Sequence, residues 1–563
     1  IMKLQLLTGF LLLSVPACFM YGYEVPTTLQ KKNILLEEFT GISCGNCPQG
    51  HKVANALNMA QPESTFVIAV HAGSFSKPVG DFPDFRTDEG EQLVEEFGVE
   101  MLGYPSGTVN RHAFEGTSVV APKSKWIKYG KQINSEDAPV NLWIKSEFDG
   151  NTNQLKVRVE GYYTTDEQTE KQYLNVVWTQ DNIMGPQSGG GVGEEYIHRH
   201  MLRGYLTPVW GDLLASPKKG DYFEKEYVYQ LPETVKKTTV KPEDIEVIAF
   251  VTQEKKEVLN VTGSKPSYSN FEHPLAASLS TPKMEIGSRY GYNYFEATLT
   301  NESDKVITTA EFEIDINNEE PQQVTWNGNI SSFASMPIVL NVSSYVMNDK
   351  NDYKITLTFL NGKEIKNSSI QGTFAAPLQA TPTVNITIQT DLFADENTFT
   401  IKNSDGEIVK EFGPYVTDTK AVYQETAELE ANKTYCFEIL DKWGDGIQQP
   451  KGYVKIHTDN NALIEQNYDI QLFGSRSFFR TSLEPSGITK SVADRLYKYD
   501  PETKTIYLVD MTTPCVLSLY SMEGKRIMQK EDTKMTCSTI TNGIYLLQIT
   551  KNGMQHIFKI AIN

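Results

Sequence analysis

Apolar and polar positions change rhythm once along this chain, separating an amino-terminal α/β region from a long β region. Asn33–Thr40 reads NILLEEFT, whose continuous apolar run Ile34, Leu35, Leu36 predicts a buried strand. Val53, Ala54, Leu57 and Ala60 then recur every three to four residues, a helical period that Pro62 helps to end. Thr65–Val70 is again strand-like. Thr87–Phe97 reads as a helix with Leu93, Val94 and Phe97 on one face, GTVNR (107–111) as a strand, and Lys123–Ile133 as a closing helix with Trp126, Ile127 and Tyr129. Alternating strands and helices predict an α/β domain with a partly parallel sheet over residues 33–137.

From Pro139 onward the period is two. Val140–Glu147, Gln154–Glu160, Tyr173–Thr179 and Ile245–Thr252 read as strands of an all-β domain, residues 138–268. In residues 269–379, Ala310, Phe312, Ile314 and Ile316 alternate with polar residues, as do Ile355, Leu357 and Phe359. One buried and one wet sheet face fit an immunoglobulin-like sandwich, with a spacer role expected. Residues 380–484 open with a strand at Asn385–Gln389 and predict a further sandwich. Residues 487–563 carry TIYLVDM, an alternating Cys515–Tyr520, a turn at Met522-Glu523-Gly524-Lys525, IYLLQI after Asn542-Gly543 and a closing HIFKIAI, the pattern of a small terminal sandwich. The expected fold class is multidomain: one α/β domain, then several all-β sandwiches of immunoglobulin-like or jelly-roll-like kind.

Length agrees, since 563 residues at roughly 150 per domain suggest about four domains. A net charge of -19 argues against nucleic acid, whose phosphates need clustered Lys and Arg. Lys3 followed by a charge-free run from Leu4 to Met20 reads as a secretory signal within residues 1–22, too short for a membrane span of about 20 residues. Val15-Pro16-Ala17-Cys18 resembles a lipoprotein cleavage box from which Pro16 departs; ordinary cleavage near Ala17 or Gly22 is the favoured expectation. The working location is then outside the cytoplasm, where disulfides persist.

The chemically loaded motif is Cys44-Gly45-Asn46-Cys47-Pro48, at the passage from the first strand to the first helix. Two sulfurs at this spacing close a small disulfide loop. Unpaired N–H groups and the dipole at a helix N-terminus lower a thiol pKa from about 8.5 to roughly 3.5–7.5. On this reading Cys44, at the helix start, attacks, and Cys47, one turn in and less exposed, resolves the mixed disulfide. A static disulfide is the main alternative. Half of a zinc site is disfavoured because no second pair follows. His51 is expected to be a solvated helix residue rather than one that tunes the dithiol.

The segment resembles the thioredoxin fold. That resemblance implies that Glu38, six residues before Cys44, is a buried carboxyl moving protons for the resolving thiol, and that Pro105 is a cis-proline facing the dithiol. The usual Trp before the first Cys is Ser43 here, and Gly45-Asn46 is an unusual dipeptide, which leaves the potential and the partner open. C-x-x-C-P-x-G-H after EEFTG, then DNIMGPQ, YIHRHMLR and VIAFVTQEKKEVL, together resemble the Bacteroidota outer-membrane protein family named after a 28-kilodalton antigen, over Asn33–Gly263. This implies a thioredoxin-like domain paired with a β-sandwich at the cell surface. LYSMEGKRIMQ, TNGIYLLQI and FKIAI resemble the C-terminal sorting domain of type IX secretion cargo, implying export across the outer membrane and the secretion machinery as a partner.

Other candidates carry less. His198 and His200, spaced i, i+2, would share one face of a strand, but no third metal ligand can be assigned, and a hydrogen-bonded surface loop is expected. The pattern C-F-x-I-x-D-x-x-G-D-G-I from Cys436 resembles a β-sandwich module common in secreted Bacteroidota proteins. Carboxylates on such a turn suit Ca²⁺, with Asp441 and Asp445 as candidate ligands and Asp391 or Glu396 completing the shell. An Asp-Gly turn bonded to its own backbone is the alternative, and no other cofactor is required. Cys515 and Cys537 are a candidate pair, and Cys436 is expected to be a small buried apolar residue. Two functions remain nearly level. One is a thiol–disulfide oxidoreductase acting on protein thiols or disulfides. The other is a non-enzymatic surface adhesin that presents β-module loops to host protein or glycan, with Cys44–Cys47 as a structural disulfide. A protease or glycosidase is distant, for want of HExxH or GxSxG.

Overall fold

The computed structural model describes residues 23–563 except 79, 81, 167–170, 215–216, 283–293, 344, 449, 459–462, 468–472, 483–496, 502, 510–514, 523, 552–553 and 563. The expected signal segment, with Lys3 and Cys18, lies outside the described residues. The chain is mostly β and multidomain. It divides into two compact units: one holds the chain up to Leu378 with Asn385–Ala427 and Thr434–Phe479, and the other holds Gln379–Val384, Glu428–Lys433 and Arg480–Asn563.

The first unit opens with β1 (Ile34–Thr40), α1 (Cys47–Ala60), β2 (Thr65–His71), α2 (Asp88–Phe97), β3 (Ser106–Val109), β4 (Val120–Pro122) and α3 (Trp126–Ser135). Every residue of β1 and β2 is buried, as expected of central strands covered on both faces. They pair in parallel, Ile34 opposite Thr65 and Thr40 opposite His71, and β3 runs antiparallel on the other side of β1. α2 starts where Thr87 accepts the Gly90 N–H at 3.0 Å, carries Asp88, Glu89 and Glu91 in its first turn, and stops at Gly98 in the left-handed region.

The chain continues into β5 (Val140–Asp149), β6 (Gln154–Tyr163), β7 (Gln172–Gln180), β8 (Ile183–Gly185), β9 (Tyr196–His198) and β10 (Met201–Tyr205). The central sheet does not stop at residue 137. Its order is Val258–Ser264, Ile245–Gln253, β7, β10, β2, β1, β3, β4, so β10 joins the edge of β2 in parallel, Met201 opposite Ala69. A second sheet, Tyr222–Gln230, β6, β5 and Ser267–Ser269, packs over one face of the outer half through Phe148, Val159, Trp178 and Ala249. Arg111 ties the two halves together. It is buried, donates to both oxygens of Glu37 on β1 at 2.8 and 2.6 Å, and lies over the Phe97 and Phe250 rings.

Residues 277–375 form a three-stranded and a four-stranded sheet around one apolar core. Ala310, Phe312, Ile314 and Ile316 point inward as the alternation predicts. The Ile355, Leu357, Phe359 alternation fails at its third member. A register shift between Leu357 and Phe359 turns Leu360 into the core and leaves Phe359 half-buried. Further on, Asn397–Asn403 pairs antiparallel with Ile408–Phe412 and with Thr434–Asp441.

The second unit contains a three-stranded sheet from Tyr497 and a four-stranded sheet of Arg526–Asp532, Cys515–Tyr520, Gly543–Lys551 and Met554–Ile562. Cys515 and Cys537 do not form the expected disulfide. Both remain thiols within its apolar core, where they pack like the aliphatic residues around them. Cys436, in the first unit, is the small buried residue expected of it. No helix among the described residues is long and apolar enough to cross a membrane.

Candidate functional site

β1 ends at Thr40, and the chain turns through Gly41 to Asn46 before entering α1. Gly41 is required there, since an added Cβ would stand 2.5 Å from the Phe75 backbone. The Cys44 N–H donates to the Gly41 carbonyl at 3.0 Å and the Cys47 N–H to the Cys44 carbonyl at 3.3 Å. Cys44 and Cys47 are joined as a disulfide. Their placement corrects the expectation in one respect. Asn46 stands at the N-cap position without a side-chain capping bond and Cys47 is the first helical residue, so Cys44 sits in the turn before the helix rather than at its start. Both sulfurs belong to buried residues, Cys44 at 3% and Cys47 at 0% exposure.

Glu38 and Pro105 meet α1 one turn beyond Cys47. A Cβ on Gly50 would lie 2.5 Å from Glu38 Oε1 and 2.8 Å from Pro105 Cβ, so the absent side chain is what lets the three approach. The Tyr104–Pro105 bond is cis and leads directly into β3, where Ser106 pairs with Phe39. The Glu38 carboxyl is buried, its Oε1 has no hydrogen-bond partner, and burial raises its pKa well above the carboxylate range.

The histidines depart from expectation. His51 is not solvated. Its Nε2 lies 2.8 Å from Thr40 Oγ1 and 3.9 Å from Glu38 Oε1, and its Nδ1 lies 2.7 Å from Tyr196 Oη. His198 and His200 are not on one strand or on a surface loop. β9 ends at the buried His198, and His200 follows in the left-handed region before β10. The His198 ring stands 5.1 Å from that of His71 and 6.2 Å from that of His51. Glu38, His51, His71, Tyr196, His198 and His200 line a small space of about 20 Å³, enough for one water molecule. Burial, then the neighbouring His198 and His200, brings His51 down to about 3; burial brings His198 down to about 4. Burial and then His198 lower His71 as well, and burial followed by Glu38 pushes Tyr196 up to about 12.

The β8–β9 hairpin that supplies Tyr196 and His198 also packs on the turn that carries Cys44. Gln187 Nε2 donates to the carbonyls of Gly41 (3.1 Å) and Cys44 (3.0 Å), and the Ser188 N–H donates to that of Ile42 (2.8 Å). Gly189 lies so close that a Cβ there would stand 2.1 Å from the Gly45 carbonyl oxygen. DNIMGPQ and YIHRHMLR are thus the strands and cover of this hairpin.

The acidic motif forms a second cluster. One carboxylate oxygen each from Glu396, Asp441 and Asp445 lie within 4.8 Å of one another. Of the two expected companions Glu396 belongs to this group and Asp391 does not, although Asp391 stands near enough for its charge to act on Asp445. Asp441 Oδ1 accepts the N–H groups of Trp443 (2.9 Å), Gly444 and Asp445 (3.2 Å), the bonding of a tight Asp-Gly turn. Burial and then Asp445 push the Asp441 carboxyl up to about 8. Lys131 of α3 pairs with Glu396 and, at 3.3 Å, with Asp445.

Fold and site define a multidomain, mostly β protein whose α/β end carries a Cys-x-x-Cys disulfide under a β-hairpin. Comparison places its parts. Residues 91–270 match the family model described as Outer membrane protein Omp28, and residues 500–563 match that of a secretion system C-terminal sorting domain. The chain therefore carries an Omp28-family domain and a type IX secretion sorting domain, and it is an exported protein of the outer membrane or cell surface. No curated protein matches its sequence. Among solved structures, it is similar to HBP35 of Porphyromonas gingivalis, at 19% identity over 56% of this chain and 99% of that one, with a TM-score of 0.35. It is also similar to a domain of the outer membrane lipoprotein Omp28 of the same organism, at 20% identity over 23% of this chain and 91% of that one, with a TM-score of 0.18.

Proposed function

We propose that the protein is a cell-surface thiol–disulfide oxidoreductase built on a thioredoxin-like amino-terminal domain. The observation that carries this reading is the Cys44–Cys47 disulfide at the start of α1, with Glu38 and Pro105 gathered against the next turn at Gly50. In the reduced form the Cys44 thiolate attacks a sulfur of a partner disulfide, forming a mixed disulfide and expelling one partner thiolate. The Cys47 thiolate then attacks Cys44 Sγ, expels the second partner thiolate and closes the internal disulfide, so two electrons pass from the dithiol to the partner. In reverse, the disulfide oxidises a partner dithiol. Cys44, the less buried sulfur, is the exchanging atom, Glu38 exchanges a proton with the Cys47 thiol, and Pro105 shapes the ledge for the partner chain. Reduction of insulin disulfides is expected from the reduced protein, with complete loss in Cys44→Ser at unchanged circular dichroism. Turnover surviving that substitution would overturn the assignment.

The burial of both sulfurs beneath Gln187, Ser188 and Gly189 favours a second reading, a static disulfide in a surface protein that binds host protein or glycan. Titration of the folded protein before and after mild reductant separates the two. Release of two thiols supports the oxidoreductase, and release of none supports the binder.

A further inference from the structure

We propose that Glu396, Asp441 and Asp445 form a binding site for a hard divalent cation of the Ca²⁺ class, set where the loop Asp441–Gly446 meets α3. The proposal is independent of the redox reading. Three carboxylates bring their oxygens within 4.8 Å of one another, although like charges so placed repel. Lys131 answers part of that charge. Its ammonium pairs with Glu396 and Asp445 and lies 4.6 Å from the centre of the Phe393 ring. With all three acids ionised, as a bound cation requires, one ammonium leaves two negative charges, the charge of one divalent ion.

The independent observation is at Asp441, which is only 4% exposed. Its Oδ1 is occupied by three backbone N–H groups, but its Oδ2 is buried and has no hydrogen-bond partner. A buried carboxylate oxygen left without a partner is costly, and a cation among the three acids would satisfy it. The donors are all oxygens, and Ca²⁺ tolerates the irregular shell that one loop and the end of the short helical turn Ala394–Glu396 provide, completing it with water. Gly444 and Gly446 hold the loop in the left-handed region, which directs the backbone around Asp441.

Trp443 supplies the readout, since its ring centre is 5.8 Å from Lys131 Nζ. Tb³⁺ added to the metal-free full-length protein is expected to give tryptophan-sensitised emission that saturates at one ion per chain and is displaced by Ca²⁺. Asp441→Asn, which keeps the oxygen that caps the turn, and Glu396→Gln are each expected to weaken binding by about tenfold or more by removing ligand charge. Lys131→Met is expected to tighten it. Absence of saturable emission in both the wild type and Lys131→Met overturns the site, as does unchanged affinity in both carboxylate variants when circular dichroism shows them folded.

Discussion

His51, His71 and His198 share a small space with the Glu38 carboxyl, and burial holds all three imidazoles uncharged. In the unfolded chain each titrates near 6.5. As pH falls below that value the unfolded chain takes up protons that the folded one refuses, so stability is full above about pH 6.5 and is lost toward pH 4 to 3. By pH 5 the loss is about 2 kcal/mol for each of His51 and His198, and His71 acts in the same direction. Glu38 acts with the opposite sign: its raised pKa adds stability below the ordinary carboxylate value, and that contribution fades as pH rises through the folded value. Other buried carboxyls raised into this range, Asp441 among them, act with the sign of Glu38, so the histidine contribution is read as a difference: between pH 7 and pH 5 the urea midpoint of His198→Asn is expected to fall less, or rise more, than that of the wild type, with tryptophan fluorescence as the measurement. An equal change in both proteins would contradict the buried, neutral state. The burial of His51 was not read from the sequence, although its spacing carries the signal. His51 lies four residues after Cys47 and three before Ala54, on the face that also buries Gly50 and Leu57. Its partner Tyr196 left no such signal, because 145 residues separate the two and no local period reports such a contact.

At the scale of elements, the segment joining β8 to β9 packs on the backbone of the turn that carries Cys44. Gly189 has φ +76° as well as its close approach to Gly45, so Gly189→Ala is disfavoured both by backbone and by space. Strain of about 1–3 kcal/mol placed on the closed hairpin is expected to speed reduction of the Cys44–Cys47 disulfide by dithiothreitol about tenfold or more, without loss of the fold. The rate of thiol release under native conditions checks this, and an unchanged rate would show that the hairpin does not gate the sulfurs. Helices and central strands were readable because their periods are local: Thr87, the acidic first turn and Gly98 mark α2 at both ends. The bulge before Leu360 was not readable, since alternation alone cannot say where one strand gains a residue over its neighbour. The hairpin's role as a cover was equally hidden, although both of its motifs stood out in the chain.

For the whole molecule, the matched sorting domain at residues 500–563 predicts delivery. Deleting it is expected to abolish exposure on the cell surface, measured by protease accessibility on intact cells, while the Cys44–Cys47 disulfide still forms. Full surface exposure of the truncated chain would contradict the role of that domain. The acidic balance of the chain gives its exported surface a net repulsion toward other anionic surfaces. The central sheet carries a different consequence. Because β10 hydrogen-bonds to the rim of β2, the Ala69 N–H donating to the His200 carbonyl at 2.7 Å, the cysteine-bearing half was never a detachable cassette. A transplant of residues 33–137 into another scaffold would bring an open strand rim with it. For its cysteine-bearing part, a chimera of this protein has its natural seam after Ser269, where both sheets are complete.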